Sequence, residues 1–357
     1  MSKFAKGFKD FTSDDITTIR DVLHEAIPIT GSICWDTYVN GAKTIEENIY
    51  NSPRDLYQSV YDYPYLSSSA NHIFDITIGY PAALSHSANT GNSRKINTYN
   101  QMAQVLMGTD ITGSVINFDR DGNLDSGEKI TQAYFINFSR LLAKDEIKKQ
   151  SFTLQVLTGG VGTGSGPTDI LTIQDHNAKN NYRTNSAVGE YGILYTGSAA
   201  AAGSGVGLLF YQAGIAVLSA SVFDGNEPGY LSTFPTASST SYNNVHSMFT
   251  GSSISGSGDA FRNRLYNISF NNTIDINSTV YFCRLNHGEF NCSSNSSYTD
   301  ADGKIVVKDL PSQLPKAYVT TIGLYSADNE LLAVAKTSQA LEKSPKNEIV
   351  IQVRLDT

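Results

Sequence analysis

The sequence predicts a mainly β protein with a few helices (α+β), closing in an antiparallel, sandwich-like C-terminal module. Three observations carry this. The last hundred residues hold short apolar–polar alternations separated by Asp/Asn/Gly turns. Through the middle of the chain, Gly-rich and Ser/Thr/Asn-rich segments cut the apolar runs to strand length. Helical spacing of apolar residues shows at two places, both before Gly108.

Taken in order, residues 13–26 read as a first helix. Ser13 can cap it, Asp14 and Asp15 suit its positive end, and Ile16, Ile19, Leu23 and Ala26 share a face before Pro28 and Gly31. Residues 35–38 read as a short strand, 56–65 are rich in tyrosine, and 72–80 (HIFDITIGY) alternate as a strand. In the second helix, Ser93 precedes Ile96, Tyr99, Met102, Ala103 and Leu106 on one face, and Gly108 closes it. Strands are then expected at 133–140, 151–157, 169–173, 191–195, 206–211 and 215–221, with Gly-rich loops at 158–167 and 197–205. The final strands are expected at 265–271, 275–284, 317–325, 331–337 and 348–355. In the last of them Ile349, Ile351, Val353 and Leu355 occupy one face. This divides the chain into a mixed α/β region (1–108), a β-rich middle with Gly-rich loops (109–230), a linker-like Ser/Thr/Asn stretch (231–260) and a C-terminal antiparallel β module (261–357).

Composition excludes several function classes. The 357 residues carry 26 Lys+Arg against 34 Asp+Glu, a net charge of -8, and only 17% are charged. A nucleic-acid binder needs a basic surface to displace counterions from phosphates, so no nucleic-acid partner is expected. Charge-driven disorder is excluded as well, because the net charge is small for a chain that is 40% hydrophobic. The N-terminal residues lack the apolar run of a secretory signal, and no segment reaches the roughly 20 apolar residues of a membrane-spanning helix. Three cysteines, Cys34, Cys283 and Cys292, form neither a disulfide framework nor a CxxC zinc pair. A Cys283–Cys292 bridge would require a turn at Asn286-His287-Gly288.

The search for chemistry finds one candidate metal site. Asp119, Asp121, Asn123 and Asp125 alternate in a way that offers oxygen ligands to calcium. The EF-hand pattern is not met: Gly122 stands fourth rather than sixth, and Ile130 occupies the place of the bidentate Glu. A turn between strands uses the same residue types and is the preferred reading. The glycine loop at 159–166 lacks the Gly-Lys-Ser/Thr ending of a phosphate loop. Asp175-His176 is not accompanied by a GxSxG nucleophile elbow, and the six histidines form no HxH or HExxH pattern. No catalytic residue and no cofactor are therefore assigned. The 20 tyrosines suit interfaces, where they bring contact area at low entropic cost.

Particular phrases point further. Residues 280–291 (VYFCRLNHGEFN), 293–298 (SSNSSY), 320–336 (TTIGLYSADNELLAVAK) and 353–356 (VRLD) resemble segments of virion structural proteins of contractile-tailed bacteriophages, including those of cyanobacteria. Residues 61–74 and 211–218 have the same character. The resemblance implies a non-enzymatic virion component of the tail apparatus (baseplate or neck), assembled in the host cytoplasm. It implies other phage structural proteins as partners, and copies of the chain itself in a ring. The alternatives are a receptor- or carbohydrate-binding module on the virion and, third, a virion-associated hydrolase.

Overall fold

The computed structural model describes residues 8–29, 38–39, 42–43, 48–63, 65–124, 127–157, 170–196, 205–223, 242, 244–293, 295–302, 304–308, 310 and 312–356. The fold is mainly β with large antiparallel sheets, as the alternation predicts. Two compact units emerge, Leu23–Ile274 and Met1–Val22 with Asp275–Thr357.

The first unit is built on two meanders. One comprises β4 (Ile49–Asn51), β5 (Gln58–Tyr61), β6 (His72–Gly79) and β7 (Ala133–Phe138), which the one-turn helix α2 (Arg140–Ala143) follows. The other comprises β9 (Thr153–Leu157), β10 (Ile170–Gln174), β11 (Tyr191–Thr196), β12 (Gly205–Phe210) and β13 (Ile215–Ser219). Antiparallel pairing of β13 with β7 joins them, and residues 265–269 of β14 (Leu265–Leu285) extend the sheet beyond β9. The short strands β2 (Tyr38–Val39) and β3 (Ala42–Lys43) pair separately, and β8 (Glu146–Ile147) pairs with Asn272 and Thr273 of β14.

The central strands are buried on both faces, and their side chains divide by parity. Tyr134, Ile136 and Phe138 of β7 enter one apolar cluster, whereas Ala133 and Phe135 enter another. β13 divides in the same way, with Ala216 and Leu218 against Val217. This is the period-two geometry of a pleated strand. The first face is covered by α3 (Val245–Gly251) and α4 (Ile254–Arg264), whose Phe249 and Phe261 rings lie 5.2 and 5.1 Å from the Tyr134 ring. On the second, Tyr99, Ala103 and Leu106 of α1 (Thr90–Leu106) pack with Phe118 and Phe135.

α1 starts where a side chain can satisfy its first free amides: Asn89 accepts from the Asn92 amide at 2.8 Å. It ends at Gly108, which takes φ +88 and donates to the Ala103 carbonyl at 3.1 Å. The helix lies tightly on β6 at Gly79, where a Cβ would sit 2.8 Å from Tyr99 N and 2.9 Å from Lys95 O. Gly79→Ala is therefore expected to lower stability by about 1–3 kcal/mol, the usual cost of overpacking. Urea denaturation measures this, and an unchanged midpoint would refute the close approach.

Two expectations are corrected. Residues 13–26 are not a helix: 13–15 make a single 3-10 turn and β1 runs from Ile16 to Ile29. The reason lies in the run Ile16-Thr17-Thr18-Ile19, whose branched side chains favour extended backbone, and β1 gains β14 as a neighbour. The stretch 231–260 is not linker where it is described: it holds α3 and most of α4, and residues 231–241 and 243 lie outside the described residues. Polar residues at the starts of both helices act as caps: Asn244 accepts from the Ser247 amide at 2.7 Å and Ser253 from the Gly256 amide at 2.9 Å. The loops at 158–169 and 197–204 lie outside the described residues.

In the second unit, β17 (Ile349–Asp356) pairs antiparallel with residues 278–285 of β14. β15 (Ala317–Tyr325) and β16 (Leu331–Lys343) form a separate two-stranded sheet. Lys343 is fully buried here, donating to Asn291 Oδ1 at 2.9 Å, Ser344 O at 3.0 Å and His287 O at 3.3 Å. Arg284 closes on Asp15 at 2.6 Å, and Arg354 spans Asp21 and Asp356.

Candidate functional site

The acidic segment is the end of a small hairpin. Buried Phe118 and Ile130 anchor its feet in the second cluster, and the Ile130 amide donates to the Phe118 carbonyl at 2.9 Å. Asp119 is fully buried, accepting from Lys129 Nζ at 2.6 Å and from the Asp121 amide at 3.0 Å. Asp121 accepts from the Asn123 amide at 2.9 Å, while Asn123 itself is exposed. Asp125 lies outside the described residues. The Lys129 ammonium also donates to the Leu124 carbonyl at 3.0 Å, so the cation seated within this turn is a lysine side chain. Burial and the Asp121 carboxyl push Asp119 up, whereas the Asp119 carboxyl holds Asp121 down. Among the described residues no three His, Cys, Asp or Glu side chains gather as a metal-binding group.

Asp175 occupies a different setting. It is 1% exposed, and its carboxylate accepts from the Gln150 amide at 2.6 Å, the Phe152 amide at 3.0 Å and Tyr211 Oη at 3.0 Å. Burial pushes it up to about 6, against the pull of those donors. Burial also drives the Tyr211 phenol upward, reinforced by Asp175. Lys149 lies 5.3 Å from the centre of the Tyr211 ring and pairs with Glu190 at 2.5 Å. These contacts tie the turn before β9 to the end of β10. They position backbone rather than a reacting group.

The Ser59, Asp75 and His72 side chains also meet. Both Ser59 Oγ, at 2.5 Å, and His72 Nε2, at 2.8 Å, contact Asp75 Oδ1. With the carboxylate between them, the imidazole does not reach the hydroxyl as a general base must. The Asp75 hydrogen bond holds the His72 pKa above its ordinary value. Elsewhere, His246 meets Gln132 at 3.1 Å and His287 meets Glu348 at 3.2 Å. Cys283 and Cys292 are free thiols, although the turn between them forms, with Glu289 N donating to Asn286 O at 3.0 Å. Cys34 lies outside the described residues.

What the structure adds is an aromatic edge at the β4–β5 end of the first unit. The Tyr65 ring lies 5.6 Å from Tyr50 and 6.1 Å from Tyr61, and Tyr61 lies 5.4 Å from His72. Tyr63 is 57% and Leu66 84% exposed alongside them. The clustering of Tyr57, Tyr61, Tyr63 and Tyr65 in sequence signals this edge, whereas its junction with Tyr50 and His72 depends on strand pairing. The arrangement offers aromatic faces and phenol hydroxyls for binding, without a nucleophile and base in register. Among the described residues no helix is long and apolar enough to cross a membrane. No family model, no curated protein and no solved structure matches the chain.

Proposed function

We propose that this chain is a structural subunit of a tailed-bacteriophage virion. It serves in the tail apparatus, at the baseplate or neck, through contacts with other phage structural proteins and with copies of itself. The segments in which the resemblance to virion proteins is firmest fall in the second unit, along β14 and the residues that follow it, the β15–β16 ribbon and β17. One observation carries the reading: those same strands expose large apolar side chains, among them Tyr325, Leu332 and Val350 at 58, 67 and 60%. Exposed apolar area of that kind is what an assembling subunit covers with its neighbours. The weakly ionic composition fits, because burying dense charge in an interface is costly. Mass spectrometry and immunogold labelling of purified particles test it. The chain is expected in the particle at several copies, with label on the tail, and its absence from purified particles overturns the assignment.

The aromatic edge favours a second reading, a receptor- or carbohydrate-binding module. Glycan-array binding that is lost in Tyr65→Ala would establish it, and a blank array would remove it.

A further inference from the structure

β15 and β16 pair with each other and, among the described residues, with no third strand. An isolated two-stranded hairpin is marginal in water. Natural edge strands are usually guarded by charge, proline or short length. β15, AYVTTIGLY, has neither charge nor proline over its nine residues. Its Tyr318 and Tyr325 are 54 and 58% exposed, and Leu331 and Val334 on β16 are 52 and 54% exposed.

The charge of the ribbon is uneven along its length, and its tip is acidic. The tip turn holds Asp328 and Glu330, and residues 317–335 contain no Lys, Arg or His. Of the positive charge, Lys336 stands at mid-ribbon opposite Thr321, and at the base Lys316 meets Glu342 at 3.1 Å with Lys346 nearby in sequence. An antiparallel pairing of β15 with a second β15, centred on Thr321, sets the base of one ribbon beside the tip of the other. Lys316 then comes opposite Ser326, next to the acidic turn, and Tyr318 comes opposite Leu324.

We propose that β15 is the edge at which a second copy of this chain adds, completing a continuous antiparallel sheet in the order β16–β15–β15–β16. A two-fold pairing of this kind is isologous, with the same patch on both copies. The pairing deepens the virion-subunit reading and rests on it for its biological setting.

Sedimentation equilibrium of the full chain tests the pairing. The unmodified chain is expected to dimerise. Thr321→Lys and Thr321→Glu each place like charges across the axis, and each is expected to weaken dimerisation about fivefold or more. An equimolar mixture of the two is expected to restore it, which a fold defect in either variant would not allow. A monomeric unmodified chain, unimpaired dimerisation in both variants, or failure of the mixture to associate overturns the proposal. Dimerisation abolished by Tyr65→Ala but not by Thr321→Lys would place the contact at the aromatic edge, and likewise overturns it. Immunogold labelling depends on location alone, so the two proposals fail by different experiments.

Discussion

Asp175→Ala is expected to destabilise the Leu23–Ile274 unit by about 3–6 kcal/mol, since an orphaned buried donor costs about 1–3 kcal/mol. Three donors lose their acceptor together: the Gln150 and Phe152 amides and the Tyr211 hydroxyl. With the site 1% exposed, little water replaces the carboxylate. Asp175→Asn should cost less, because its amide oxygen still accepts. The pH dependence follows from the carboxyl being held at about 6 when folded, against 3.8 for the ordinary group. Between those values the folded state binds more proton than the unfolded chain. This contribution is therefore complete below about 3.8 and is lost as pH rises through about 6. Urea melts of the unmodified chain and Asp175→Asn from pH 4 to 8 should show a difference that changes across this window. A pH-independent difference would contradict the raised carboxyl, and equal stability of Asp175→Ala would contradict the clamp itself. Gly192 offers a check from the other side, because a Cβ there would collide with Tyr211 Oη.

The second large effect is expected at Lys95. Its side chain leaves α1, is 1% exposed, and donates to the Phe249 carbonyl at 2.5 Å and the Ser252 carbonyl at 2.6 Å, at the C-terminal end of α3. A cation there suits the negative end of the helix. On the other side of the same corner, Asp55 accepts from the Ile254 and Ser255 amides at 2.9 and 2.8 Å, at the start of α4. The α3–α4 corner is thus held by opposite charges matched to the two helix ends. Lys95→Met keeps the stem but strands two carbonyls, at an expected cost of about 2–5 kcal/mol. Burial pushes the ammonium down to about 8, below its ordinary 10.5. The unfolded chain holds more proton between those values, so this group adds stability as pH rises from about 8 to 10.5. Thermal melts should show that rise in the unmodified chain and lose it in Lys95→Met. A double-mutant cycle with Asp55→Ala should reveal coupling, since both groups hold one corner. Strict additivity would mean that the two ends are held independently.

Much of this fold is legible in the sequence because alternation survives wherever one strand face is solvated. Residues 317–325 and 348–355 read as strands for that reason, and α1 reads as a helix from its apolar face and closing glycine. Legibility fails where tertiary context decides. β7, AYFINF, reads as a strand, but with five of six residues buried the sequence does not tell which of its faces meets which apolar cluster. The caps Asn244 and Ser253 read as loop, because a cap and a loop favour the same residues. Nothing near Lys95 announces its partner, which lies 154 residues along the chain at Phe249. The Asp119 segment was visible from its spacing, but the burial of Asp119 against Lys129 depends on how the hairpin closes.

The two-sided burial of the sheet has a consequence for synthesis. The β4–β7 meander leaves the ribosome well before α3 and α4, whose Phe249 and Phe261 cover Tyr134. At about 5–20 residues per second, the hundred-odd residues between them take on the order of ten seconds. For that interval the nascent sheet carries an uncovered aromatic face, and a chaperone able to shield it would govern the yield of folded chain.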